Sequence, residues 1–264
     1  MKTSARLTFV VTLAVSWFSM LGATSRADLT LCGTPQPISY QIDVHTVQTF
    51  LDNGTDPASL GSARVYDLVD QIYGQLGIDV QFDFGTTWNN TFAHQGISTL
   101  GQRPASDTFT ILSSAVTAGK TAPTVNTINM ILVDIVPSFF QLSSTGAAGT
   151  SVFGGNGIVM FVGADVGLFA SSEETAAIIM AHQIGHNLGL DHSTDTNNLM
   201  TALVSGGCFN ESQAAQILAN APGFLTAVPE PSALLLLAVC GVLLSATRLH
   251  SVCKLNAKTI STPY

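Results

Sequence analysis

Two histidines four residues apart, a glycine three residues on and a third histidine three further constrain this chain most. The stretch reads His182-Gln183-Ile184-Gly185-His186-Asn187-Leu188-Gly189-Leu190-Asp191-His192. Residues at i and i+4 share one face of an α-helix, so a helix through this stretch presents His182 and His186 side by side. Gly189 tolerates the left-handed backbone that ends a helix and reverses the chain, and the reversed chain can carry His192 back to the same point. Neutral imidazole nitrogen is a ready zinc ligand, and three such ligands leave a fourth position open. The alternative is three histidines hydrogen-bonded to one another without metal, but a chance cluster has no need of glycine at the break.

With these residues in view, the segment resembles the metzincin pattern H-E-x-x-H-x-x-G-x-x-H followed by a Met-turn. Asn198-Leu199-Met200 supplies the Met-turn, and the run from His192 through Met200 is most similar to the matrixin branch. The resemblance implies that His182, His186 and His192 bind Zn(2+) and that Met200 forms a floor beneath the metal. It also implies a strand along the cleft's upper rim, with Ile158–Val162 as the candidate, and an S1′ wall near Ala202–Val204. The departure is Gln183, which stands where the pattern has its catalytic glutamate. In the family that glutamate takes a proton from the attacking water. An amide can hydrogen-bond the water but cannot accept its proton, and general-base catalysis is typically worth roughly 10² to 10⁴ in rate. Glu173 and Glu174 lie eight or more residues upstream, roughly 12 Å or more along a helix axis, too far to substitute. Asp191 abuts a ligand, and its place in the pattern is variable.

Elsewhere the hydrophobic periodicity predicts an α/β (α+β) fold: a twisted mixed sheet, a long zinc-binding helix and a small C-terminal subdomain. Ile38–Val47 and Ile78–Phe84 alternate as strands. Val65, Leu68, Val69, Ile72, Tyr73 and Leu76 fall at helical spacing, and Gly77 stops that helix. Thr127–Val136 is a buried strand ended by Pro137, and Ile158–Val162 another. Residues 146–157, rich in Gly, Ser and Thr, read as a loop around a short strand. The metal helix starts near Ser171, which has capping-box spacing to Glu174, and a last helix covers about 210–220.

Both ends read as targeting segments. Residues 1–27 carry Lys2 and Arg6, an apolar run and small residues before Asp28, the pattern of a secretory signal peptide. The tail, 228–264, begins Val228-Pro229-Glu230-Pro231-Ser232, continues apolar to Ala246 and ends in scattered basic residues. It resembles a PEP-CTERM sorting signal, which implies a bacterial source, an exosortase partner and a membrane contact until the tail is processed; a plain C-terminal anchor is the other reading. Residues 28–227 are then one metallopeptidase-like domain. That stretch holds 16 acidic residues against Arg64, Arg103 and Lys120, a formal −13, which excludes nucleic acid and anionic lipid surfaces as partners.

Only Cys32 and Cys208 fall within 28–227, and outside the cytoplasm two cysteines most simply pair. Cys32-Gly33-Thr34-Pro35 also resembles the C-G-x-P core of the matrixin cysteine switch, which implies a zinc-capping thiolate as the alternative. Three functions follow. The first is an exported metzincin-like protein that keeps zinc and a peptide or protein ligand but has little peptidase activity. The second is an active secreted zinc endopeptidase with a substitute base. The third is a surface structural or binding module.

Overall fold

The computed structural model describes residues 31–60, 62–95, 104–134, 149–162, 172–202, 206–220 and 223–228. The mixed α/β architecture expected from the sequence is what forms. In chain order the elements are β1 (Tyr40–Phe50), α1 (Arg64–Gly74), β2 (Ile78–Asn89), α2 (Thr91–Gln95), α3 (Pro104–Thr117), β3 (Ile128–Asp134), β4 (Gly149–Ser151), β5 (Gly157–Val162), α4 (Glu173–Asn187), α5 (Glu211–Asn220) and β6 (Thr226–Ala227). The main sheet runs β2-β1-β3-β5-β4. Its first four strands are parallel, β4 is antiparallel to β5, and β6 returns antiparallel to the start of β1.

β3 and β5 are apolar at nearly every position because both faces of the sheet are covered. On one face Ile42, Val44, Met130, Leu132, Ile158 and Met160 pack under α1 and α4. On the other, Val47, Ile131, Val133, Val159 and Phe161 meet Trp88, Ala93, Ile111 and Ala115. α1 presents Val65, Leu68, Val69, Ile72 and Tyr73 at the spacing its sequence shows, and the Tyr73 hydroxyl donates to the Ala181 carbonyl of α4 at 2.9 Å. Gly77, with φ of 70°, makes the reversal into β2; a side chain there would strike the Pro37 carbonyl, 2.6 Å from its Cβ position.

Three expectations change. β5 is hydrogen-bonded on both sides, so Ile158–Val162 is not the rim strand; among the described residues the edge is β4, drawn from the Gly-rich stretch. The N-cap of α4 is Ser172, whose hydroxyl accepts from the Thr175 N–H at 3.1 Å. Ser171, the other half of the expected capping box, lies outside the described residues; the Glu174 carboxylate faces Arg64. Third, α2 and α3 are additional helices, set over the second face of the sheet. Pro137, residues 203–204 of the expected S1′ wall, the segment 1–27 and the tail from 229 onward also lie outside the described residues. Among the described residues no helix is long and apolar enough to cross a membrane.

Cys32 and Cys208 form a disulfide with a Cα–Cα distance of 5.3 Å. It ties the lead-in before β1 to the segment after the Met-turn, and Gln75 bridges the same join, accepting from the Cys32 N–H and donating to the Gly207 carbonyl, each at 3.0 Å. A bonded Cys32 has no thiolate to offer a metal, so the zinc-capping alternative does not apply to this form.

Candidate metal centre

α4 ends as its glycine demands. Gly189 takes φ of 86°; its N–H donates to the His186 carbonyl and the Leu190 N–H to the Gly185 carbonyl, both at 3.0 Å. This pair of bonds is a Schellman motif, and it delivers the chain to His192. The turn also orients a ligand: the Leu190 carbonyl accepts from His186 Nδ1 at 2.8 Å. The Leu199 carbonyl, one residue before Met200, does the same for His182 Nδ1 at 2.8 Å. With each Nδ1 proton donated to a carbonyl, the Nε2 lone pairs are left free, the outer-contact pattern of metal-binding histidines.

The three imidazoles converge. One ligand atom from each of His182, His186 and His192 lies within 4.8 Å of the others, and the Nε2 atoms of His186 and His192 are 3.2 Å apart. Nitrogens about 2.0–2.1 Å from a tetrahedral zinc sit about 3.4 Å from one another, so the site fits that ion. His182 is buried, His186 half-buried and His192 exposed, which leaves an open side. Burial pushes the His182 imidazole down to about 4, against the Leu199 hydrogen bond, and burial lowers His186 as well. Both stay neutral ligands at pH 7.

The depressed His182 value carries a stability consequence. In the unfolded chain the imidazole protonates near its ordinary 6.5, whereas in the fold it resists until about 4. Stability from neutral His182 is therefore present above 6.5 and lost as the pH falls toward 4. Melting curves of the metal-free full chain should show Tm dropping across that window; a Tm flat from pH 7 to 4 would contradict this placement.

Met200 is fully buried, directly under α4. A Cβ built on Gly185 would lie 2.5 Å from the Met200 sulfur, so the glycine between the two helical histidines is what lets the Met-turn approach. The turn is held by the Met200 N–H donating to Asn198 Oδ1 at 2.9 Å. Asn198 and Gln213 of α5 exchange amide hydrogen bonds of 2.8 and 3.0 Å, a buried pair that the sequence reading missed. Gly185→Val forces Met200 away and should cost roughly 1–3 kcal/mol, read by urea unfolding; unchanged stability would mean that the close approach does not matter.

The Gly-rich stretch is more than a solvent loop. The Gly154 N–H donates to the His186 carbonyl at 2.9 Å, and Asn187 Nδ2 donates to the carbonyls of Val152 and Gly157 at 2.9 and 3.2 Å. β4 thereby lies along α4, with Gly149 so near that its Cβ would sit 3.3 Å from Gln183 Cγ. Gln183 is 8% exposed, one residue from His182 and beneath that edge strand. No carboxylate among the described residues joins the three imidazoles. Glu173 and Glu174 face Arg64 at 3.4 and 3.6 Å, and Asp191 is exposed.

A family model described as Matrixin matches residues 66–217, more than half of the chain. No curated protein matches. Among solved structures, the chain is similar to archaemetzincin from Methanopyrus kandleri, at 14% identity over 75% of this chain and 98% of that one, with a TM-score of 0.44. It is similar too to archaemetzincin from Archaeoglobus fulgidus complexed with malonate (15% identity, 65% and 98% covered, TM-score 0.35). A third is a zinc-dependent peptidase from Methanocorpusculum labreanum (12% identity, 66% and 99% covered, TM-score 0.39).

Proposed function

The chain belongs to the matrixin family, and from that premise we propose that it is an exported metzincin-type protein that binds zinc and a peptide chain but cleaves peptides weakly or not at all. The observation that carries this reading is Gln183, held at the catalytic position beside an otherwise complete set of three histidines. Zinc at these histidines supplies a Lewis acid for a peptide carbonyl. Gln183 contributes a neutral amide with a donor and an acceptor, which can hold a water or a peptide group but cannot take up a proton. β4, the last strand of the sheet among the described residues and next to α4, is the strand along which an extended peptide would lie.

Residues 28–227 are the working domain in this reading. The leader 1–27 directs export, and the tail 228–264 is the substrate of an exosortase-type sorting machinery, with a membrane contact before processing and an extracellular or cell-surface destination in a bacterium. Peptide capture tests the functional part. The zinc-loaded protein, mixed with a broad peptide library, is expected to retain peptides and release them at their original masses. Fragments that accumulate with time and stop on chelation would overturn the reading in favour of an active endopeptidase with another base.

A further inference from the structure

A second group of potential metal ligands lies apart from α4. Asp56 follows β1, His94 sits on α2 and Asp134 is the last residue of β3. One donor atom from each lies within 4.8 Å of the others. The group stands at the carboxyl ends of adjacent parallel strands, where ligands of open α/β sheets gather. His94 is 1% exposed, against 58% for Asp56 and 32% for Asp134, so the imidazole forms the buried floor and the carboxylates the open side.

The hydrogen bonding fixes what the imidazole can offer. Thr49 Oγ1 donates to the Leu132 carbonyl at 2.6 Å, which leaves its oxygen to accept from His94 Nδ1 at 3.2 Å. The proton of a neutral imidazole is therefore on Nδ1, and Nε2 presents a lone pair. Facing that lone pair are Asp56 Oδ2 at 3.3 Å and Asp134 Oδ2 at 4.0 Å. A lone pair opposite two carboxylate oxygens is repulsive unless a cation lies among them. A second proton on Nε2 is the competing account, but charge-assisted N–H···O bonds are about 2.7–2.9 Å, shorter than either distance. Donors about 2.0–2.2 Å from a tetrahedral ion are about 3.4 Å apart, closer to what is seen. The scaffold is braced: the Asp52 N–H donates to Thr91 Oγ1 and the Thr91 N–H to Asp52 Oδ1, each at 2.9 Å, pinning the start of α2 to the end of β1.

We propose that Asp56, His94 and Asp134 bind a second divalent metal ion, separate from the three-histidine centre, that clips β1, α2 and β3 together. One imidazole with two carboxylates is a borderline donor set, which favours zinc over calcium or magnesium. The domain's formal −13 makes any such cation welcome.

The test uses the zinc-stripped full chain with zinc alone as titrant, read by calorimetry and by elemental analysis after gel filtration. His186→Ala disables the first centre, so a retained equivalent of zinc in that variant is the second site. Adding Asp56→Asn and Asp134→Asn to it should remove that equivalent. Asp56→Asn by itself, at an exposed position, should weaken that binding by at least the roughly 10-fold that a lost outer contact costs, with far-UV circular dichroism unchanged. The proposal fails if His186→Ala binds no zinc, if its zinc survives both Asp→Asn changes, or if calcium displaces zinc there. None of these outcomes depends on peptidase activity, so failure here leaves the reading of Gln183 intact.

Discussion

Gln183→Glu is expected to raise endopeptidase activity by on the order of 10² or more. The change replaces one amide nitrogen by oxygen, so packing under β4 is preserved: the space beside Gly149 already accommodates a side chain of this length. The surrounding parts are in place, namely three converging imidazoles, their Leu190 and Leu199 carbonyl partners and the buried Met200. What the variant adds is an oxygen that can take the proton from the attacking water and return it to the leaving amine. The nearby helical acids cannot do this, because Glu173 and Glu174 are at the far end of α4 facing Arg64. The measurement is cleavage of a broad peptide mixture by both proteins at matched zinc content. An inert Glu variant that still holds zinc would mean that the peptide cleft itself is lost, and the structural-module reading would gain.

Cys32→Ser is the largest stability change expected. The disulfide closes a loop of 176 residues in sequence separation, and removing a native bridge costs roughly 2–5 kcal/mol, with long loops toward the upper end. The loss should reach the metal centre. The Cys208 carbonyl accepts from the Leu199 N–H at 2.7 Å, and the Leu199 carbonyl orients His182. Loosening Cys208 therefore loosens the second bond in that chain, and zinc affinity should fall together with the unfolding midpoint in denaturant. Identical midpoints for the oxidised wild type and the serine variant would refute this.

The metal helix was the most legible part of the chain because one spacing fixes several things at once. His182 and His186 set the face, and Gly189 sets the end through a left-handed turn that few other residues accept. The buried strands were legible from unbroken apolar runs. β1 runs on to Phe50, three residues past its expected end, because the polar Thr49 is satisfied inside by the Leu132 carbonyl, a partner no local pattern reveals. α3 was missed because its described buried face is carried by Ile111 and Ala115 in a run otherwise rich in Ser and Thr. β4 was missed as the rim because three residues carry no periodicity; its place follows from pairing with β5 and from Asn187 reaching Val152. The cap falls one residue after the serine its spacing suggests, on the adjacent Ser172, whose extended backbone lets its hydroxyl accept from the Thr175 N–H. The amide pair of Asn198 and Gln213 joins residues fifteen apart in sequence, with no motif to announce it.

The central claim is that the three-histidine centre is intact while its general base is missing. The most direct measurement is the wild type itself, assayed for zinc and for peptide cleavage in the same preparation, beside His186→Ala. The expected result is one more equivalent of zinc in the wild type than in His186→Ala, with no cleavage above that of the histidine variant. Rapid cleavage by the wild type that a chelator abolishes and His186→Ala lacks would contradict it.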